Sequence, residues 1–245
     1  MSNERLLAAI IAAGKTPQQL SEDIGVDPKT VERWVTQDRT PHRTHRLKVA
    51  CLLSRDDVYL WPSTTADPRA KSASEAEFVA LYPNRGSVGV ETWQSLIAAS
   101  TESIDLLAYA ASFLHDSVPN FAATLATKAR SGVRVRLLFG DPDSAAVALR
   151  GEEEGIGALM GARCQLTWAY FAPLLDAPGV EARKHGSTLY NSIFRFDDTL
   201  LVNPHTIGAA ASQSPIMHFQ RIVGGRIFTH YMGGFEHTWT AAHKA

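Results

Sequence analysis

Basic, amide and hydroxyl side chains are closely spaced between residues 16 and 34 of this 245-residue sequence. Three of them are spaced to project from one side of a helix, and two glutamines stand at the start of a helix before it. Side chains of these types bind base edges and phosphates in the major groove of double-stranded DNA. We therefore expect DNA contacts from Gln18, Gln19, Lys29, Thr30 and Arg33.

A second basic group follows soon after Trp34. Its members are Arg39, His42, Arg43, His45, Arg46 and Lys48. Such a cluster can bind DNA phosphates, and phosphate contacts position a protein on the duplex without specifying a base sequence. Arg39 and Arg43 are therefore added to the candidate DNA-binding residues.

Two helix starts position these side chains. Thr16 precedes Pro17, and Asp27 precedes Pro28. An oxygen-bearing N-cap followed by proline is typical of a helix start. Proline lacks a backbone N–H, and at the first helical position that N–H would have no acceptor within the helix. Gln19, three residues after Thr16, completes a capping-box pattern. The pattern predicts helices that begin at residues 17 and 28.

A tight turn is predicted between these two helices. Gly25 falls where the chain must change direction, since glycine adopts left-handed backbone conformations without a steric penalty. Apolar residues on both sides would hold the helices at a fixed angle. These residues are Leu20, Val26, Val31 and Trp34.

The segment resembles the helix-turn-helix of Xre-type (phage-repressor-like) transcriptional regulators, and the resemblance runs from Glu4 to Pro62. Helix one would be ERLLAAIIAAG, and a closing pair would be HRTHRLKVACLL and SRDDVYLWP. The resemblance implies an all-α helix-turn-helix DNA-binding domain over residues 1–62 of a bacterial regulator. A helical protein-binding module with a solvated basic face is the alternative for the same pattern.

Length and charge indicate a second domain and a modest affinity for DNA. A chain of 245 residues, 45% hydrophobic and 20% charged, is long enough for two globular domains. The formal net charge of −1 provides no overall attraction to nucleic acid. The acidic residues of the N-terminal segment also offset its bases. We therefore expect a homodimer on a palindromic operator, because two half-sites multiply the effective affinity.

The remaining compositional features predict the absence of several kinds of site and segment. Cys51 and Cys164 form no CxxC pair, so neither a disulfide framework nor a zinc site is predicted. No cofactor and no metal are expected. The N-terminus lacks a secretory pattern, and no apolar run is long enough to span a membrane. A cytoplasmic protein without a membrane partner is the simplest expectation.

Residues 63–76 are rich in small and polar residues and are predicted to form a linker. From residue 77 to 245, strand-like and helix-like segments alternate, and a run of strands follows. The buried strands SIDLLAYA and VRVRLLFG carry continuous apolar runs, as expected of a sheet covered on both faces. The order predicts an α/β domain with a mixed sheet flanked by helices.

Candidate ligand-binding residues of this domain stand near predicted strand ends, where α/β folds usually bind ligands. Tyr109 and Ser112 follow one strand, and Asp141 follows the next. Further candidates come from the polar stretch 179–208. These are Arg183, His185, Tyr190, Ser192, Asp197, Asn203 and His205.

The stretch 179–208 resembles the active-site strand pair of the phospholipase D superfamily, which is marked by H-x-K-x4-D. Aligned to that motif, Tyr190 stands at the histidine, Ser192 at the lysine and Asp197 at the aspartate. The strands SIDLLAYAASFL and VRVRLLFG also resemble core strands of that superfamily, so the resemblance covers about residues 77–240. It implies a phospholipase D-like fold and, because single-module members pair across a two-fold axis, a homodimer.

The two replacements bear on the chemistry. The superfamily uses histidine as nucleophile and lysine to hold phosphate oxygens, and serine cannot supply the lost positive charge. The resemblance therefore implies a catalytically degenerate domain that dimerises and senses a small anionic or phosphate-bearing ligand. Two alternatives remain open. One is a phosphodiesterase or nuclease that uses Tyr190 or a histidine and is targeted to DNA by the N-terminal domain. The other is a domain that docks a protein partner.

Overall fold

The computed structural model describes residues 2–62 and 68–245. The chain divides into two compact units, Met1–Lys71 and Ser72–Ala245. The boundary lies inside the predicted linker, residues 63–76, of which residues 63–67 lie outside the described part. The rest of that stretch differs from the expectation of an irregular linker, since Pro68–Glu77 forms helix α6. Its alanine, lysine and glutamate residues are good helix formers, which explains the difference.

The described part of the first unit, up to residue 62, contains helices and no strand. The helices are α1 (Glu4–Ala12), α2 (Pro17–Ile24), α3 (Pro28–Thr36), α4 (Arg43–Leu52) and α5 (Asp57–Leu60). They enclose one apolar core, in which Leu20, Val31 and Trp34 are buried and Val26 packs at the margin. The sequence-based apolar contacts between α2 and α3 are therefore confirmed.

Both predicted helix starts are present. The Thr16 hydroxyl accepts a hydrogen bond from the Gln19 N–H at 3.2 Å, and Gln19 Oε1 accepts one from the Thr16 N–H at 2.9 Å. The Asp27 carboxylate accepts from the Lys29 N–H at 2.9 Å. Gly25 ends α2 with φ of +78°, in the left-handed region that glycine favours. The capping box and the glycine turn therefore form as predicted.

The second unit is built on an eight-stranded sheet in the order β1-β7-β6-β5-β2-β3-β4-β8. The strands are β1 (Phe78–Tyr82), β2 (Ser103–Ala108), β3 (Arg134–Gly140), β4 (Val180–His185), β5 (Asn191–Phe196), β6 (Thr199–Pro204), β7 (Ile216–Gln220) and β8 (His243–Lys244). The helices after α6 are α7 (Val90–Ala99), α8 (Ser112–Ser117), α9 (Phe121–Arg130), α10 (Ala145–Glu153), α11 (Leu159–Phe171) and α12 (Ile227–Ala241).

The sheet is mixed, as predicted. Strands β2, β3 and β4 are parallel to one another, while β5, β6 and β7 continue the sheet in antiparallel order from β2. The end at which β2, β3 and β4 finish is called here the carboxyl end of the sheet. Because of the antiparallel pairing, β5 starts and β6 finishes at this same end. By the same pairing, β7 starts and β1 finishes there, so loops from seven strands converge at this end.

Each face of the sheet is covered by an apolar layer. Leu106, Leu137 and Phe194 belong to one buried cluster, which includes residues of α7, α9 and α11. Their strand neighbours Leu107 and Leu138 belong to the other cluster, which includes residues of α10 and α12. The alternation explains the continuous apolar runs of β2 and β3. Among the described residues, no helix is both long enough and apolar enough to cross a membrane.

Candidate functional site

The candidate DNA-binding residues lie on α2, α3 and the segment after α3. Lys29 and Arg33 are exposed and four residues apart on α3, and Thr30 beside them is half-buried. Four-residue spacing places Lys29 and Arg33 on one side of the helix. Neither side chain forms a hydrogen bond or an ion pair with any residue that the structure describes. Their charges are therefore available to a ligand.

The two glutamines differ in availability. Gln19 Oε1 is occupied by the capping box. Gln18 is exposed, and its amide donates to Glu22 at a long distance of 3.4 Å. Arg39 is exposed beyond the end of α3. The side chain of Arg43 lies outside the described part of the structure. Of the second basic group, Arg46 is engaged with Asp57 at 3.5 Å.

In the second unit, four of the predicted ligand-binding residues meet at the carboxyl end of the sheet, Ser112 among them. Tyr109, Ser192 and His205 line one cavity of about 70 Å³, which has room for a few water molecules or a small anion. The Tyr109 ring stacks on His205 with centroids 5.9 Å apart, and the Tyr109 hydroxyl accepts from the Leu189 N–H at 2.9 Å. The His185 ring lies beside the Tyr109 ring, with centroids 5.7 Å apart.

Ser192 and His205 form a hydrogen-bonded pair. His205 Nδ1 lies 3.2 Å from the Leu189 carbonyl, which can only accept. Neutral His205 therefore carries its proton on Nδ1, and its Nε2 accepts from the Ser192 hydroxyl at 3.0 Å. Burial, together with the Arg150 guanidinium, lowers the pKa of His205 to about 4. The imidazole is consequently neutral at pH 7 and is a weak base.

Other predicted ligand-binding residues form hydrogen bonds within the domain near the carboxyl end of the sheet. The His185 ring lies 3.1 Å from the Ala108 carbonyl, and burial lowers its pKa. The Asn203 amide donates to the carbonyls of Ser214 and Pro215 at 3.3 and 2.9 Å. The Asp141 carboxylate accepts from the Asp143 N–H at 3.2 Å in the turn after β3. None of these three lines the cavity.

The remaining predicted ligand-binding residues lie elsewhere. Tyr190 is 82% exposed and borders a separate groove beside α12. Arg183 donates to the Trp239 carbonyl at 2.8 Å and stacks on the Trp239 ring. Asp197 lies at the opposite end of β5 from Tyr190, so the aligned motif is spread along a whole strand. An extended strand rises about 3.3 Å per residue, which separates these two positions by roughly 20 Å.

Charged residues that sequence reasoning missed line the same cavity. They are Arg85, Glu154 and Arg163, and the wall also includes Ser112 and Ser212. Arg85 comes from a short 3-10 turn after β1, while Arg163 lies on α11. No spacing rule joins Arg85, Glu154, Arg163 and Ser212, which lie far apart in the chain, whereas Ser112 was predicted because it follows β2. The described residues also contain no candidate metal site. Within them, no group of three or more histidine, cysteine or acidic side chains lies close enough together to bind a metal ion.

The architecture defines the class of this protein as a helical unit followed by an α/β domain with an eight-stranded mixed sheet. No protein-family model and no curated protein matches the sequence. A structure of Nuc, a phospholipase D family member from Salmonella typhimurium, is similar at 13% identity with a TM-score of 0.43, over 68% of this chain and 97% of that chain. A structure of TrmBL2, an archaeal chromatin protein with a novel mode of DNA binding, is similar at 13% identity with a TM-score of 0.42. The similarity covers 90% of this chain and 72% of that chain. Similarity at this level leaves ligand and activity open.

Proposed function

We propose that this protein is a sequence-specific DNA-binding transcriptional regulator, with α2 and α3 as its helix-turn-helix. The observation that carries the proposal is α3 itself. It is capped by Asp27, packed against α2 through Val31 and Trp34, and presents the unpaired cations Lys29 and Arg33. A helix held this firmly, with free cationic side chains on one side, suits insertion into a major groove.

Genome-wide occupancy of the tagged protein tests this proposal and identifies the operator. With that operator in hand, Arg33→Ala is expected to weaken the preference for it over scrambled DNA by about tenfold or more, since a base contact by arginine contributes about 1–3 kcal/mol of discrimination. Arg130→Ala, which removes an exposed arginine of α9, is the matched control and should leave the preference unchanged. An Arg33→Ala protein with full operator preference would show that α3 is not the recognition helix.

The second unit is proposed to hold two copies of the chain together. A nearly neutral chain gains little nonspecific affinity for DNA, so two linked heads on a palindromic operator provide the affinity that one head lacks. Size-exclusion chromatography with light scattering should give twice the 26.7 kDa chain mass. A strict monomer at micromolar concentration would contradict this part of the proposal.

A ligand-binding role of the second unit is preferred over phosphodiester chemistry. Tyr190 has no hydrogen-bonded base among the residues that the structure describes, and its side chain is almost fully exposed. His205, the partner of Ser192, is a weak base because its pKa is about 4, whereas an effective general base titrates near the operating pH. Turnover of labelled DNA or generic phosphodiesters that is lost in Tyr190→Phe, His185→Ala or Ser192→Ala would instead support the enzyme alternative.

A further inference from the structure

The cavity at the carboxyl end of the sheet contains an arginine whose side chain has no ion-pair partner among the described residues. Arg85 lines this cavity and is half-buried, with its guanidinium 4.2 Å from the centre of the Phe113 ring. Its side chain forms no hydrogen bond and no ion pair with any residue in the described ranges. Burial lowers the pKa of this guanidinium, although arginine remains charged at neutral pH. A half-buried cation without hydrogen-bond partners is costly unless an anion binds it.

The other charged residues near the cavity are differently placed. Arg150 is buried, and its guanidinium donates to Glu154 at 2.8 Å and to the Ala209 carbonyl at 2.9 Å. It also reaches Glu153 at 3.4 Å. Arg163 stands at the wall with a side chain 51% exposed and lies 3.9 Å from Glu154. Three guanidinium groups thus lie near the carboxylates of Glu153 and Glu154. Arg150 and Arg163 are within 4 Å of these carboxylates, whereas no ion pair joins either carboxylate to Arg85.

Neutral hydrogen-bonding groups complete the wall. Ser112 and Ser212 line the cavity from α8 and from the loop after β6. The Ser192 and His205 pair forms another part of it and adds no charge at neutral pH. Hydroxyl groups on several sides suit a ligand with more than two oxygen atoms, because each can donate to a different oxygen. Guanidinium groups suit the same ligand, since they bind phosphate oxygens in pairs.

We propose that this cavity is a binding site for a small tetrahedral oxyanion, inorganic phosphate or a phosphate monoester, held between Arg85 and Arg163. Phosphate binding is argued from the cavity alone. Only its role as the sensing site of the regulator rests on the proposed function. The ligand would bridge the turn after β1, helix α11 and the loop after β6. That loop is already held at two points, by hydrogen bonds from Arg150 to the Ala209 carbonyl and from Asn203 to the Pro215 carbonyl.

Isothermal titration of the full chain without DNA tests the proposal. The probes are inorganic phosphate and glycerol 2-phosphate, with acetate and chloride at matched ionic strength as comparisons. Saturable binding of at least one phosphate probe is expected, and it should be tighter than that of acetate. Arg85→Gln is expected to weaken it by about tenfold or more, because it removes a charge-assisted hydrogen bond in a half-buried site. Arg130→Gln is the matched control and should bind like the wild type.

A second variant guards against a folding defect in Arg85→Gln. Arg163→Glu places the charge reversal on a half-exposed side chain and is also expected to weaken binding of the probes. The proposal is overturned if neither phosphate probe binds the wild type, if acetate binds as tightly, or if the folded cavity variants bind like Arg130→Gln. Operator binding is measured separately on the same preparations, so a failure of one experiment leaves the result of the other intact.

Discussion

Asp197 shows how a residue can match a motif and still have a different role. It is the one position of the aligned H-x-K-x4-D motif that carries the expected residue type. Its carboxylate accepts hydrogen bonds from the backbone N–H groups of Thr101, Glu102 and Ser103 at 2.7, 2.9 and 2.7 Å. Its φ of +50° places it in the turn between β5 and β6. Asp197 therefore joins that turn to the start of β2.

Replacing Asp197 by asparagine should destabilise the second unit. Burial raises the pKa of this carboxyl, but the three backbone N–H donors outweigh burial and lower it below its ordinary value of 3.8. A depressed pKa means that the stabilisation is complete above the unfolded value and is lost as pH falls through the folded value. Asp197→Asn is expected to cost about 1–3 kcal/mol at pH 7, and less at pH 2.

Urea unfolding at both pH values measures this difference. Asp198→Asn is the matched control, because Asp198 is exposed and its carboxylate forms a long ion pair with Arg221 at 3.4 Å. Its cost is expected to stay below about 1 kcal/mol. Equal losses for the two variants at pH 7 would show that the three N–H contacts contribute nothing specific.

At the scale of elements, Gly151 is required for the junction between α10 and α11. Its carbonyl accepts from the N–H groups of Ile156 and Gly157, both at 2.9 Å, and folds the chain back on itself. A Cβ at Gly151 would overlap the Gly157 carbonyl oxygen, which is backbone and cannot move aside cheaply. Gly151→Ala should therefore destabilise the second unit despite the higher helix propensity of alanine.

The control for Gly151→Ala is Gly233→Ala. Gly233 lies inside α12, and no atom lies within 4 Å of its Cβ position. Alanine there should stabilise the helix by up to about 1 kcal/mol. Thermal unfolding followed by circular dichroism should show a lower midpoint for Gly151→Ala and an unchanged or higher one for Gly233→Ala. A Gly151→Ala protein as stable as the wild type would contradict the backbone overlap.

A buried ionic network links β2, β3 and α12. Asp105 is fully buried within the apolar run of β2 and contacts Arg136 at 2.6 Å and Arg195 at 3.0 Å. Arg136 also donates twice to Glu236 of α12. Burial would lower the pKa of Arg136, but its hydrogen bonds to Asp105 and Glu236 outweigh burial and raise it. Arg136 therefore stays charged at neutral pH.

Removing Arg136 should be much more costly than removing its neighbour Arg134. Arg136→Met leaves the buried Asp105 carboxylate short of a partner, and breaking such a pair typically costs about 3–5 kcal/mol. Arg134 has a half-exposed side chain and lies 3.7 Å from the same carboxylate, so Arg134→Met should cost less than about 1 kcal/mol. Chemical denaturation of both variants measures the loss of unfolding free energy in each. Similar losses would show that Arg136 has no special role.

Local patterns predicted the elements better than the contacts between them. The capping box at Thr16, the Gly25 turn and the apolar strands depend on neighbouring residues, so the sequence reveals them directly. The strand-end rule also placed Tyr109, Ser112, Ser192 and His205 at one cavity. It could not identify the arginines of that cavity, because a turn and a distant helix bring them there only through tertiary packing. The aligned H-x-K-x4-D motif grouped Asp197 with Tyr190, although β5 separates them by its full length.

At the scale of the whole molecule, each compact unit has its own apolar core. Leu20 is fully buried in the core of the first unit, together with Ile10, Val31 and Trp61. Leu137 is fully buried in one of the two clusters of the second unit. None of the three clusters combines residues from both units. Each unit therefore has the apolar burial needed to fold as a domain.

Two calorimetric transitions are expected from this division, one for each unit. Leu20→Ala should lower only the transition of the first unit, and Leu137→Ala only that of the second, because deleting a buried leucine side chain typically costs about 2–5 kcal/mol in its own core. Differential scanning calorimetry of the two variants and the wild type makes the comparison, and operator binding identifies the first unit's transition by its ligand-induced shift. A single transition that both variants lower equally would mean that the two cores unfold as one cooperative unit.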